Sequence, residues 1–339
     1  MKAYAGIDLH SRNNYLAVID EQDKRLFGKR LPNDLNITLT ALEPFRKNLT
    51  GVVIESTYNW YWLVDGLVDN GYTVHLANPS AIKQYEGLKH TDDPWDAYWL
   101  AHMLRLGILP KGYIYPKDQR PARDLARRRL LFMRQRTAQV LSLQSMITRH
   151  LGVNMSGSAI KALTGDQAAE LFDTKYQVMM AQNSIATIRF LSGIISDIEK
   201  ELLGSIKLCQ EFQRLKSIPG IGDILALTIM LEVGNIERFP KVGNYSSYCR
   251  CVDSKKLSNK KKKGENNRRN GNKYLGWAYV EAANFAIRFC EEAQRFYQKK
   301  KAKRNGVVAI KALSNKLAKA SYYIMRDNKS FEVERLFDN

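Results

Sequence analysis

Cysteine is scarce in this chain: 4 in 339 residues, at Cys209, Cys249, Cys251 and Cys290. Thiols so few and so scattered exclude a disulfide framework. Cys249-Arg250-Cys251 has no second Cys or His pair at zinc-like spacing, so reduced structural thiols are expected there. No apolar run reaches the roughly 20 residues of a membrane span, and the opening MKAYAGIDLH lacks the apolar core of a signal peptide. A cytoplasmic protein with no membrane partner is expected. Negative charge is also in short supply, with 34 Asp and Glu against 53 Lys and Arg, a formal net charge of +19.

What remains is the composition of a folded protein, 45% hydrophobic and 26% charged, long enough for two domains or a little more. The positive excess is uneven. Residues 1–110 carry 11 basic and 13 acidic residues, residues 111–240 carry 18 and 12, residues 241–305 carry 18 and 5, and residues 306–339 carry 6 and 4. An acidic-to-neutral first third joined to a strongly basic last third suggests a polyanion held by one part and processed by another. A basic membrane anchor would concentrate on one amphipathic helix, not spread over 241–305.

Periodicity divides the chain into three. Runs at 3–8, 15–20 and 25–31 read as strands, the first two joined by the turn Ser11-Arg12-Asn13-Asn14. A helix near 36–48, the apolar strand GVVIE at 51–55, a helix near 60–69 and the strand YTVHLA at 72–77 follow. Three hairpin-linked strands and then αβαβ is the element order of an α/β ribonuclease-H-like domain, placed at 1–115. Across 116–212, Ala126, Leu130, Met133, Thr137, Val140, Gln144, Ile147 and Leu151 are spaced as a coiled-coil seam, and Ile188, Leu191, Ile195, Ile198 and Leu202 form a second. This predicts a long helical arm, either a hairpin packed on itself or a dimerisation element. Residues 213–339 read as mostly helical. Ser217-Ile-Pro-Gly-Ile-Gly222 resembles the turn of a helix-hairpin-helix module, in which Gly220 and Gly222 would let backbone N–H groups approach a phosphate. Residues 255–273 contain almost nothing to bury and read as a mobile basic loop. A long helix from 273 would place Leu275, Tyr279, Ala282, Ala286, Phe289 and Phe296 on one face.

Four acids could converge in such an α/β domain. Asp8 ends the first strand, Glu55 ends GVVIE, and Asp93 and Asp96 lie in TDDPWDAYWLAHML. Clustered carboxylates select Mg²⁺ or Mn²⁺ and suit phosphodiester chemistry. Asp93 also has a purely structural reading, with Asp93 as N-cap, Pro94 at N1 and Asp96 at N3 of a helix. Ser258 lies among Lys255, Lys256, Lys260, Lys261, Lys262 and Lys263. A serine is a weak nucleophile without a base, a metal or dense positive charge, so spacing alone makes it an ordinary loop residue.

GIDLHSRNNYLAVID, VVIESTYNWYWLVDGLVDNGY, LANP and KHTDDPWDAYWLAHMLRLG resemble the DEDD transposase domain of the IS one-ten family of insertion-sequence elements. SIPGIGDILALTIMLEVGNIERFP, YSSYCRCVDSKKLSNKKKKG and RRNGNKYL resemble that family's C-terminal transposase domain. The resemblance covers about 1–150 and 215–300, in order. It implies a RuvC-like nuclease domain whose acids Asp8, Glu55, Asp93 and Asp96 bind Mg²⁺, the third being Asp93 rather than Asp92 because only Asp93 has an acid three residues on. It implies a nucleophilic serine at Ser258, with Ser254 as the alternative. The family's serine is followed by glycine, where this chain has Asn259. It further implies DNA recombination through a phosphoserine link, guided by a structured non-coding RNA that pairs with donor and target DNA, in a homodimer or a dimer of dimers. Lys255, Lys256, Lys260 to Lys263, Arg268, Arg269 and Lys273 would then hold nucleic acid, with Gly220 and Gly222 at the turn. Two rival readings remain: a Mg²⁺-dependent junction-resolving endonuclease without a covalent intermediate, and a non-catalytic nucleic-acid-binding protein.

Overall fold

Strands that are buried on both faces need cover on both, and the first strands of this chain are of that kind. In a computed structural model, which describes residues 1–82, 92–206, 209–253, 256–259, 261–264 and 270–337, the chain divides into two units, Met1–Lys117 and Asp118–Asn339. The first is a mixed six-stranded sheet in the order β3-β2-β1-β4-β5-β6. Its strands are β1 (Ala3–Leu9), β2 (Asn13–Asp20), β3 (Arg25–Pro32), β4 (Leu49–Glu55), β5 (Val74–Ala77) and the short β6 (Lys111–Gly112). Strands β1, β4 and β5 are parallel, and β2, β3 and β6 run antiparallel to their neighbours. The hairpin turn is tighter than the sequence suggests, because Asn13 and Asn14 already belong to β2.

Side-chain alternation assigns the two faces. Ala3, Ala5, Ile7 and Leu9 of β1 and Val52 and Ile54 of β4 join one core with Leu42 at the end of α1 (Leu35–Leu42) and Leu63, Val64 and Leu67 of α2 (Tyr61–Asp69). The opposite face packs Val53 and Ala77 against Leu100 and Met103 of α4 (Asp93–Arg105), which is preceded by the short α3 (Pro79–Ile82). The even-numbered residues of β1 therefore meet α4. Gly6 is the closest approach: a Cβ there would lie 2.0 Å from the Ala97 carbonyl oxygen. Only a glycine lets α4 settle directly on β1 at this point.

The second unit opens with two 32-residue helices, α5 (Arg120–Leu151) and α8 (Lys175–Ile206), separated by α6 (Gly157–Ala162) and α7 (Gly165–Ala169). Arg129 meets Glu199, Arg136 meets Ser192 and His150 meets Gln177, so partner numbers fall on one helix as they rise on the other. The pair is an antiparallel hairpin. Of the expected seam on α5, Leu130, Val140 and Ile147 are buried, but Thr137 and Leu151 are exposed and Leu143 and Met146 are buried instead. The reason is that α5 does not face one partner along its length. Its far end packs with α6, α7 and α8, while Ala122, Leu125 and Ala126 join the core of the C-terminal helices. A strict 3.5-residue seam requires a single facing helix. By length and composition α8 could cross a membrane, yet Ile185, Ile188, Leu191 and Ile195 are buried within the protein.

The C-terminal helices are α9 (Gln210–Lys216), α10 (Asp223–Val233), α11 (Val242–Tyr248), α12 (Lys273–Phe289), α13 (Glu291–Lys303), α14 (Gly306–Asp327) and α15 (Val333–Phe337). The long helix expected from 273 ends at Phe289, and Cys290 starts a new one; Phe289 is 79% exposed rather than core. Residues 256–264 are not simply loop. Strands β7 (Lys256–Ser258) and β8 (Lys261–Gly264) pair as an antiparallel hairpin.

The turn at 217–222 joins α9 to α10, and its two glycines differ. Gly220 has φ +83° and packs so tightly on α12 that a Cβ would lie 2.1 Å from the Ala282 carbonyl oxygen, whereas nothing lies within 4 Å of the same position on Gly222. Gly220→Ala is expected to cost about 3 kcal/mol or more, from the left-handed backbone and the collision with α12 together. Gly222→Ala, measured by the same urea melt, is expected to stay within about 1 kcal/mol of wild type.

Candidate metal and nucleic-acid sites

Register places the acids. Ile7 pairs with Ile54 in the parallel β1–β4 ladder, so Asp8 and Glu55 follow side by side at the carboxyl ends of neighbouring strands, on the face that α4 covers. The end of a parallel strand pair is where α/β sheets form their ligand sites. Helix α4 starts at the same edge. Its N-cap is Asp92, whose Oδ1 accepts from the Trp95 N–H at 2.8 Å, and not Asp93 as the spacing suggested. Both aspartates precede Pro94 closely enough to cap, and the helix begins one residue earlier than expected. Asp92 thus takes the structural role, and Asp93 is available for another.

That role involves His10, which sequence reasoning missed. His10 Nε2 lies 3.1 Å from Asp8 Oδ2 and 3.2 Å from Asp93 Oδ1, bridging the two carboxylates. Arg30 on β3 reaches the other Asp93 oxygen, Nη2 to Oδ2 at 2.5 Å. Asn33 and Asn59 each donate to the His10 carbonyl at 3.0 Å, so the histidine's backbone is held from two loops. The available signal was its spacing, two residues beyond Asp8 and hence on the same side of an extended chain. Arg30 gave no such signal, because its contact with Asp93 spans 63 residues.

The electrostatics show acids crowded together. Burial pushes Asp8 up to about 7; His10 pulls it down, while Glu55, Asp96 and Asp93 push it further up. Asp8 is only 3% exposed, so its ionised form loses most of its hydration. For Asp93, burial also raises the carboxyl, but Arg30 and His10 outweigh it and hold the group below the usual range. A cation bound among these groups would relieve the repulsion at Asp8. Asp8, His10 and Asp93 offer ligand atoms all within 4.8 Å of one another, the set with metal-binding geometry among the described residues. Two carboxylates with two more acids nearby fit a hard divalent ion such as Mg²⁺ or Mn²⁺. The Arg30 guanidinium, paired with Asp93, brings positive charge to the same group of acids. Cys249 and Cys251 form no such site: both are buried, and burial pushes the Cys251 thiol up to about 12, so it stays protonated.

In the second unit, Ser258 is the last residue of β7 and pairs with Lys261 across the hairpin. Asn259, immediately after it, has φ +50°, the left-handed region that favours glycine. Asparagine is among the few other residues that enter that region readily, so the turn is formed without glycine. Lys261 and Lys263 of β8 and Lys273 at the start of α12 are exposed. For Lys256, Ser258 and Lys262 the strand positions alone are described. Ser254, Lys255, Lys260, Arg268 and Arg269 lie outside the described residues. Gly222 is the N-cap of α10, and Gly220 faces α12.

Family models match a segment of the chain at each end. The family model for the DEDD domain of IS110 elements, described as a transposase, matches residues 5–151, which hold all four acids. A second model, the transposase IS116/IS110/IS902 family, matches residues 212–298, which hold the hairpin and Ser258. The transposase for insertion sequence element IS1111A of Coxiella burnetii is 22% identical over 337 residues, 96% of this chain and 90% of that one. Two family models on one chain, together with a relative matched over 96% of it, lead to one conclusion: the chain belongs to the IS110 family and is a DNA transposase of an insertion sequence.

Proposed function

We propose that this transposase cuts and rejoins DNA with two sets of residues. Asp8, Glu55, Asp93 and Asp96 hold Mg²⁺ (or Mn²⁺) at the edge of a ribonuclease-H-like sheet, and Ser258 is the nucleophile. The observation that carries the first part is the convergence of Asp8 and Asp93 on His10 Nε2, with Glu55 and Asp96 close enough to raise Asp8. The strand order, with β1 flanked by antiparallel β2 and parallel β4, supports the ribonuclease-H-like reading. A bound divalent ion would polarise the phosphodiester and stabilise charge developing on its oxygens. The protein's own groups do the rest. Ser258 Oγ gives up its proton and forms a bond to phosphorus as the phosphodiester P–O bond breaks, and the departing deoxyribose oxygen takes up a proton to leave as a free hydroxyl. The reverse attack by a second strand's hydroxyl frees the serine and joins new DNA.

Sequence choice is delegated to a structured non-coding RNA of the element that pairs with donor and target DNA, and the working form is a homodimer or homotetramer. A lysine-rich hairpin fits this, since lysines hold backbones and read few bases. Purification of the full chain from cells carrying its element tests the guided part. One abundant, structured RNA encoded beside the gene is the expected copurifying species, and recovery of random cellular RNA alone would contradict guidance.

A further inference from the structure

Outside the acid site and the hairpin, the most distinctive polar surface lies between α5 and the first turn of α12. There a cleft of about 290 Å³ is walled by Arg127, Arg128 and Arg134 of α5 and by Lys273 and Tyr274 of α12, with Asp124 at its side. Both walls are anchored from beneath. Glu232 of α10 is 3% exposed and accepts from Arg127 at two positions, Nε at 2.6 Å and Nη2 at 2.7 Å. The same carboxylate accepts from Asn272 Nδ2 at 2.6 Å, and Asn272 in turn caps α12 through the Tyr274 and Leu275 N–H groups. Arg127 also lies over the Tyr274 ring at 4.7 Å. One buried acid thus fixes the separation of the two helices.

The charge of the cleft is not balanced in the same way. Glu232 and the more distant Asp124 answer Arg127. Arg128, Arg134 and Lys273 are exposed and form no ion pair with a carboxylate among the described residues. Three exposed cations without a carboxylate partner, set on a braced frame, leave a local positive field that an anion shared between them would satisfy. The two α5 contacts, Arg128 and Arg134, are six residues apart, about 9 Å along the axis. At 3.4 Å of rise per nucleotide, that length spans about three phosphates of one strand. The substrate class of the enzyme supplies such an anion, and Lys273 follows directly on the basic stretch that contains the serine hairpin.

We infer that this cleft clamps the phosphodiester backbone of the DNA substrate, with Arg128, Arg134 and Lys273 as its contacts and Arg127, Glu232 and Asn272 as its frame. The inference rests on the family's DNA substrate and is independent of the four acids and of Ser258. Binding of fluorescent duplex DNA by the full chain, followed by anisotropy in EDTA so that no strand is cut, tests it directly. Arg128→Ala, Arg134→Ala and Lys273→Ala are each expected to weaken binding about threefold irrespective of sequence. Each should also flatten the plot of log affinity against log salt by about 0.9. All three residues are exposed, so melting temperatures should match wild type, and Arg134→Gln serves if Arg134→Ala folds poorly. Lys161→Ala, an exposed lysine on α6, is the control for general charge. An unchanged salt slope, an equal loss for Lys161→Ala, or a loss confined to single-stranded RNA of the same sequence would each overturn the assignment. Failure of the acid or serine reading would leave these affinities intact.

Discussion

Asp8→Asn is expected to lower DNA cleavage about a thousandfold while making the metal-free protein more stable than wild type above pH 7. The loss follows from the site: a cation that contributes several kcal/mol to the charge-developing step loses its most buried ligand. The gain follows from linkage. A carboxyl that sits at about 7 in the fold and at an ordinary 3.8 otherwise binds more protons folded than unfolded between those values. Stability is therefore lost as pH rises from about 4, and the full penalty is present above 7. Its upper bound is about 4 kcal/mol, and asparagine, which keeps the shape without the charge, should recover about 2 kcal/mol or more of it. Thermal melts of both proteins in EDTA should coincide near pH 4 and separate by several degrees at pH 8. Coincidence at both pH values would mean that Asp8 is not under strain from its neighbours. Stability given up at a functional site in this way is a common trade.

Ser258→Ala is expected to abolish the covalent protein–DNA adduct, an effect on the order of ten-thousandfold or more, as for removal of any obligatory nucleophile. Ser254→Ala should retain it. The distinction uses position: Ser258 ends β7 at the hairpin turn, where Asn259 adopts φ +50°. Asn259→Gly should therefore preserve the adduct, because glycine enters the same region freely, whereas Asn259→Val should destabilise the hairpin by about 1–2 kcal/mol. DNA cut normally by Ser258→Ala, with no adduct in wild type, would favour a junction-resolving endonuclease that uses water.

The sheet and its acids were readable in the sequence because each depends on short-range pattern. Alternation located the strands, and carboxylates at the ends of the apolar runs located Asp8 and Glu55. The remaining site residues depend on the third dimension. Arg30 meets Asp93 because β3 lies beside β2 and α4 lies over β1, which no local window encodes. The N-cap was displaced by one residue because Asp92 and Asp93 have the same capping chemistry and stand next to each other. The hairpin at 256–264 was invisible because its strands are mostly lysine, a residue poor in strand propensity, with no apolar alternation to follow. From sequence, Gly220 marks a turn open to phosphate. Its tightest neighbour is the backbone of Ala282, 62 positions later, which pattern could not foresee. The helical arm shows the converse limit, since a heptad spacing on α5 was present in sequence without one facing helix to satisfy it.

The central claim is that the four acids form one divalent-cation site, and calorimetric titration of the full chain with Mn²⁺ at pH 8 tests it most directly. Saturable binding in wild type that is lost in Asp8→Asn and in Asp93→Asn, and kept in Ser258→Ala, is the predicted result. Equal binding in wild type and both aspartate variants would contradict it.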